Sequence, residues 1–195
     1  MTKIAVIYYS ATGTVHELAT QIAAGAEAEG AEVRLRRVKE LAPAEAIASN
    51  AGWQQHVEEV HPKVAEASID DLEWADGIAL GSPTRFGLPA AQLKQFIDQA
   101  GPLWGKGALA SKAATPFTSA STTHGGHEST ALAIANTFYH WGSIVVPLGY
   151  TSEAAAGTGT PYGISALTGP LSDETIAAAK AQGARLATIA AKLAA

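Results

Sequence analysis

Strand and helix signals alternate five times along this chain, and that alternation is the strongest constraint on what it can fold into. The strand-like runs are "KIAVIYYS" (3–10), "AEVRLRRV" (31–38), "ADGIALGSP" (75–83), "KAATPFTSA" (112–120) and "SIVVPLGY" (143–150). The first is continuously β-rich, as expected of a strand buried on both faces. The second alternates apolar and charged residues and reads as a strand near the sheet edge. Helical periodicity fills "HELATQIAAGAEAEG" (16–30), "PAAQLKQFIDQAG" (89–101), "ESTALAIANTFYHWG" (128–142) and 172–194, with Gly30, Gly101–Pro102 and Gly142 as stop signals. Such alternation predicts an α/β fold, a parallel sheet covered by helices on both faces. The segment 39–74, with Pro43, Gly52, Trp53 and Pro62, reads as an excursion from the sheet. The segment 151–171 reads as one long loop, of the kind that is functional or disordered. One domain spanning 1–195 is expected.

Composition removes several function classes. Hydrophobic residues are 47 % and charged residues 16 % of the 195 positions, which suits a well-packed soluble protein. The 13 Lys and Arg are scattered and the formal net charge is -5, so no basic face for nucleic acid is expected. With no cysteine, disulfides, thiolate metal sites and thiol catalysis are excluded together. That usage fits a reducing cytosol, and a cytoplasmic location is the expectation. A strand signal from residue 3 leaves no room for a signal peptide. No uninterrupted apolar run reaches the ~18 residues of a membrane span.

Three loops, rich in Gly, Ser and Thr, follow the first, third and fourth strands: "SATGTV" (10–15), "SPTRFGLP" (82–89) and "SASTTHGGHE" (119–128). In an open parallel sheet, ligands bind beyond the carboxyl ends of the strands. The first loop enters a helix, whose free N–H groups and dipole favour an anion. Ser10, Thr12 and Thr14 add hydroxyls, and Gly13 lets the backbone close around the group. The loop lacks the Gly-Lys-Ser/Thr of a nucleotide hydrolase and the GxGxxG of a dinucleotide site, so a phosphomonoester is the better fit. An ordinary helix start capped by Ser and Thr is the competing reading.

Read in order, "YYSATGTV" (8–15), "GSPTRFG" (81–87), "DQAGPLWGKGAL" (98–109), "HGGHEST" (124–130), "HWG" (140–142), "VVPLGY" (145–150) and "GTPYG" (159–163) resemble the WrbA family of flavodoxin-like NAD(P)H:quinone oxidoreductases. The resemblance implies a three-layer sandwich with a five-stranded parallel sheet in the order 2-1-3-4-5. It implies FMN as cofactor and NAD(P)H as electron donor. The FMN phosphate would sit on Ser10, Ala11, Thr12, Gly13, Thr14 and Val15. Thr84, Arg85, Phe86 and Gly87 would line the flavin ring. Ser119, Ala120, Ser121, Thr122, Thr123 and His124 would form a third wall, with Gly125 and Gly126 allowing close approach. His140 stands where the family places a histidine from a neighbouring subunit, and Trp104 where a tryptophan lines the substrate side. The implied reaction carries two electrons from NAD(P)H to a quinone, in a homotetramer, with the flavin doing the chemistry and no protein nucleophile or metal.

Departures from the family pattern are Thr12 in place of an aromatic residue near the nicotinamide, Trp141 in place of a second histidine, a longer 39–74 and a shorter 151–171. Two other functions compete: a one-electron carrier of flavodoxin type, and a non-enzymatic partner of a transcription regulator. Simpler roles stand beside the sharp ones. His140 can complement a helix dipole, Trp104 can anchor packing, and Arg85 can be a surface charge. Tyr8 and Tyr9 read as packing residues, and Tyr162 as a lid, interface or turn residue. His124, His127 and Glu128 read as loop residues at a helix start, since HGGHE lacks the HExxH order of zinc peptidases. His56 and His61 are expected to be exposed.

Overall fold

The computed structural model describes residues 1–195. Five strands form the parallel sheet: β1 (Lys3–Tyr8), β2 (Glu32–Arg37), β3 (Gly77–Arg85), β5 (Ala113–Ala120) and β6 (Ile144–Val145), in the order β2-β1-β3-β5-β6. This is the expected 2-1-3-4-5 arrangement, with β2 at an edge. A short β4 (Leu88–Pro89) folds back antiparallel on β3. Along β1 the side chains alternate between two cores. Ile4, Val6 and Tyr8 pack with α1 (Thr14–Ala28) and α9 (Asp173–Leu193). Ala5, Ile7 and Tyr9 pack with α5 (Ala91–Asp98) and α7 (His127–Trp141) on the other face. A strand with both faces covered has no polar side, which is why β1 reads as one apolar run.

The two helices of the first face touch backbone to backbone. A Cβ on Gly25 would lie 2.0 Å from the Lys180 carbonyl oxygen, and one on Gly183 would lie 1.9 Å from that of Ile22. Only glycine permits that approach, and it draws the Ala-rich α9 onto α1.

Three expectations about the path of the chain are corrected. The run 143–150 is not one strand: only Ile144 and Val145 pair with β5, at Ala113 and Ala114. Pro147 lacks an N–H to continue the ladder, and the chain leaves the sheet there. It returns as β7 (Ser165–Leu167), parallel to Thr118–Ala120 of the same β5, so residues between the two split the edge strand. The segment 151–171 is therefore not a structureless loop; it holds α8 (Glu153–Gly157) and β7. Buried Gln182 fixes the return, accepting from the Ile164 N–H at 2.5 Å and donating to Thr115 Oγ1 at 2.9 Å and the Pro116 carbonyl at 2.8 Å. Lastly, Gly101–Pro102 does not end the helical region. Pro102 lies in the first turn of α6 (Gly101–Gly105), where its missing N–H costs nothing.

The excursion 39–74 folds as α2 (Ala44–Ala48), α3 (Ala51–Val60) and α4 (Ile69–Trp74). α4 opens with a capping box in which Asp71 accepts from the Ser68 N–H, and Asp71 also pairs with Arg34 at 3.1 Å and Arg36 at 3.3 Å. α3 lies over the loop after β1, and this placement overturns the expectation for His56. Its side chain is buried, with the residue 7 % exposed, and His61 is half-buried. The physical reason is that α3 turns Trp53 and His56 inward against β1 and α1, leaving its glutamates in water.

Candidate functional site

The three loops meet at the carboxyl ends of β1, β3 and β5. A cleft of about 200 Å³ is lined there by Ser10, Ala11, Thr12, Thr14 and Val15 of the first loop, with Pro83 and Arg85 from the second. Ser119 and Thr168 complete it. Pro83 and Thr168 were not among the candidates read from sequence. Thr168 lies far along the chain and reaches the site only because β7 pairs with β5, a long-range contact without a local signal.

The first loop is shaped before α1 begins. Ser10 Oγ accepts from the Gly13 N–H at 3.1 Å, and Gly13 takes φ +103, a conformation closed to other residues at low cost. The N–H groups of Thr12, Thr14 and Val15 have no acceptor in the protein. Thr14 differs from the expectation of a free donor. Its Oγ1 donates to the Gly169 carbonyl at 3.3 Å and accepts from the Gly169 N–H at 3.0 Å, clasping the turn after β7 to the cleft. No carboxylate lines the cleft, and Arg85 is its one cation. Arg85 donates only to the carbonyl of Thr84, at 3.0 Å, and forms no ion pair.

The second loop is a tight hairpin turn between β3 and β4. Phe86 (φ +54) and Gly87 (φ +80) both occupy left-handed backbone conformations, and the Phe86 side chain stands fully in solvent. Thr84 Oγ1 accepts from the Gly87 N–H at 3.1 Å and from Thr130 Oγ1 at 2.8 Å, so this hydroxyl builds the turn. The third loop touches the second: a Cβ on Gly126 would lie 3.0 Å from Gly87 Cα. Ser121, Thr122, Thr123 and His124 are exposed along it, while Ala120 is buried in β5 beside Leu167. Gly125 sits in a turn, its N–H donating to the Thr122 carbonyl at 2.9 Å. His127 is buried, and its Nε2–H donates to the same carbonyl at 3.1 Å.

His140 and Trp104 lie elsewhere. α7 starts at the third loop and runs away from it, which carries His140 about 20 Å from Gly126 at 1.5 Å per residue. There Trp104 Nε1 donates to the His140 carbonyl at 2.9 Å, beside a surface groove of about 470 Å³ that Asn136 and Trp141 also line.

Behind the first loop the structure holds an arrangement that the sequence did not disclose. Tyr8 Oη donates to His16 Nδ1 at 2.5 Å; burial pushes the phenol pKa up and keeps it the donor. The ring centroids of His16 and His56 are 5.7 Å apart, and those of His56 and His61 6.0 Å. Burial lowers the pKa of all three imidazoles, with His56 brought down to about 4 as its histidine neighbours add to the effect. Nearby, Glu40 collects donors from four places. These are the Tyr9 hydroxyl (3.0 Å), Trp53 Nε1 (3.1 Å), Gln92 Nε2 (2.8 Å) and the N–H groups of Leu41 (2.9 Å) and Ala42 (3.0 Å). Burial alone would raise the Glu40 pKa, but these hydrogen bonds outweigh it and hold the carboxyl below its ordinary range.

A cleft at the carboxyl end of a doubly covered parallel sheet, floored by free N–H groups, has the form of a phosphate site. A profile of the family described as NADPH-dependent FMN reductase matches residues 2–157. The chain belongs to this family. Among curated relatives of this FMN reductase-family chain is an NAD(P)H dehydrogenase (quinone) of Deinococcus radiodurans. It is 40 % identical, over 98 % of this chain and 96 % of that one. A protein of the same name from Sinorhizobium fredii is 42 % identical over the full length of both. A WrbA-like flavodoxin from Agrobacterium tumefaciens superposes with a TM-score of 0.73 at 23 % identity, covering 98 % of this chain and 99 % of that one. An archaeal flavodoxin gives 0.63 at 18 % identity, over the full length of both. The fold is flavodoxin-like.

Proposed function

We propose that this protein is an FMN-dependent oxidoreductase that carries two electrons from NAD(P)H to quinones. The observation that carries the reading is the first loop. Unpaired N–H groups of Thr12, Thr14 and Val15 face a cleft without carboxylates at the start of a 15-residue helix. That donor set fits a phosphomonoester, which needs holding rather than hydrolysis. Membership of the FMN reductase family and relatives named as quinone dehydrogenases support the same cofactor and reaction.

Bound FMN would supply the redox chemistry, accepting a hydride and passing on two electrons. The chain's own residues bind and orient. Ser10, Ala11, Thr12, Gly13, Thr14 and Val15 hold the phosphate, with Ser10 and Gly13 shaping the loop. Thr84, Arg85, Phe86 and Gly87 form one wall for the ring, and Ser119 to Gly125 the other. Arg85, free of any carboxylate partner, supplies positive charge to an edge that becomes anionic on reduction. Within one chain His140 and Trp104 are remote from this cleft. In our reading they serve the cleft of a neighbouring copy in a homotetramer, His140 at the flavin and Trp104 on the quinone side. No helix is long and apolar enough to cross a membrane, which suits a cytoplasmic enzyme.

Anaerobic addition of NADH to the FMN-loaded protein, followed by a quinone, tests the reading. Bleaching of the flavin band and its return with quinone are expected. A flavin that binds but resists NADH would favour a carrier instead. Size measurement by light scattering tests the tetramer, and a stable monomer would remove His140 and Trp104 from the site.

A further inference from the structure

We propose that His56 is a proton-linked recognition residue for the phosphate of the bound cofactor, so that FMN binding at the first loop draws a proton onto the histidine cluster behind it. The inference rests on the proposed FMN reading and adds a residue to it from α3, a helix of the long excursion.

The geometry is local. A Cβ on Gly13 would lie 3.8 Å from His56 Nδ1, so the imidazole is the side chain standing directly against the loop glycine. The first loop receives its anion with backbone dipoles and one exposed arginine, and no lysine enters the cleft. His56 is a buried titratable group packed against Gly13 of that loop, just outside the lining of the cleft. It is 7 % exposed and makes no hydrogen bond within the protein, so its proton is not committed elsewhere.

Every charged neighbour bears on the direction. From α1, His16 faces His56, held at its Nδ1 by the neutral Tyr8 phenol of β1, with Glu17 of the same helix bearing on His16 in turn. His61 faces it from the end of α3, with Arg37 of β2 and Glu66 bearing on His61 in turn. Glu40, from the segment after β2, and Glu59, on α3 itself, favour the charged form. Burial and the two other imidazoles oppose it, and in the free protein they prevail, leaving His56 neutral at pH 7. A phosphate dianion in the loop adds two negative charges to a cleft that no carboxylate lines. Its Coulomb attraction acts through a partly buried path and raises the affinity of His56 for a proton. By reciprocity, a proton on His56 tightens the phosphate.

The test measures proton uptake on FMN binding, by titration calorimetry in buffers of different ionisation heat, at pH 6 and pH 8. For wild type we expect uptake of about 0.5 proton per FMN at pH 6 and almost none at pH 8, as for a group, nearly unprotonated at pH 6 in the free protein, that the bound phosphate brings to half-protonation there. The matching affinity gain, relative to His56→Gln, is about twofold between the two values. The variant carries the titration of the FMN phosphate itself unchanged, so the difference isolates His56. Riboflavin, which lacks the phosphate, should bind without this uptake. Equal uptake in wild type and His56→Gln, or uptake with riboflavin, would overturn the inference while leaving FMN binding intact. No FMN binding at pH 8 would instead overturn the cofactor reading and this inference with it. If His56→Gln does not fold, the imidazole resonances of wild type decide: a His56 pKa that rises on adding FMN supports the proposal, and an unmoved one refutes it.

Discussion

The Tyr9 hydroxyl donates to Glu40 at 3.0 Å, and through that carboxylate the end of β1 is tied to Trp53 of α3 and to Gln92 of α5. One half-buried acceptor thus fixes the residue before the first loop, the helix covering that loop and the helix that follows the hairpin. Glu40→Gln would turn an amide N–H₂ towards groups that are all donors. We predict a loss of about 1–3 kcal/mol in urea denaturation, the cost of leaving such groups unsatisfied, with weaker FMN binding as α3 shifts. Unchanged stability and affinity would show that Glu40 is only a surface charge.

Acid stability should carry two signatures. His56 binds its proton more weakly folded than unfolded, so below about pH 6.5 the unfolded chain holds more protons. Stability is therefore complete above that pH and falls as pH drops from about 6.5 towards 4. Glu40 is depressed in the folded state, so its contribution is present above the ordinary glutamate range and is lost at lower pH. In denaturation midpoints measured from pH 8 to pH 3.5, His56→Gln should make the upper part of the decline shallower, leaving what His16 and His61 contribute, and leave the lower part unchanged. A wild-type profile flat between pH 6.5 and pH 4.5 would contradict the buried neutral imidazole.

The hairpin tip holds strain. Phe86 adopts φ +54 with its ring fully in water, so the turn gains no packing from it. Phe86→Gly should stabilise the fold by about 1 kcal/mol, the penalty a side chain meets in left-handed backbone. The same change should weaken turnover with quinone if the ring walls the flavin. Urea melts and steady-state rates on one preparation read both, and a destabilised variant would mean the turn is not strained.

Gln182 is the test of the split edge strand. Gln182→Ala would leave the Ile164 N–H and the Thr115 hydroxyl without their partner, at an expected cost of about 2–4 kcal/mol. Because Ile164 leads into β7, and Thr168 after it lines the cleft, FMN affinity should fall as well. Hydrogen exchange should speed up at 164–169 before it does in β1.

Gly183→Ala places a methyl where the Ile22 carbonyl stands 1.9 Å away, so α9 must move off α1. A thermal midpoint lowered by several degrees, from about 1–3 kcal/mol of overpacking, is expected. FMN affinity should change little, since this contact is remote from the loops.

Local periodicity was enough to determine the layers of this protein. β1, β3 and β5 are apolar runs because both their faces are covered, and α1, α7 and α9 show a repeat near 3.6, with Gly30 just past the end of α1, Gly142 at the end of α7 and Ser172 capping the start of α9. The Gly, Ser and Thr of the first loop were legible for the same reason, since helix-start chemistry is written in consecutive residues. Tertiary structure alone decided what depends on distant partners. The fifth strand is divided because Pro147 cannot continue a ladder and the pairing of Thr118 with Ser165 resumes it later. Thr168 enters the cleft through that pairing, and Thr14 is clasped by Gly169, 155 positions away. His56 looks like a surface residue in "GWQQHVEEVH", where glutamates flank it; only the docking of α3 on the first loop buries it. A side chain's burial, and with it the proton affinity of an imidazole, is set by what folds over it, and neighbours in sequence do not carry that information.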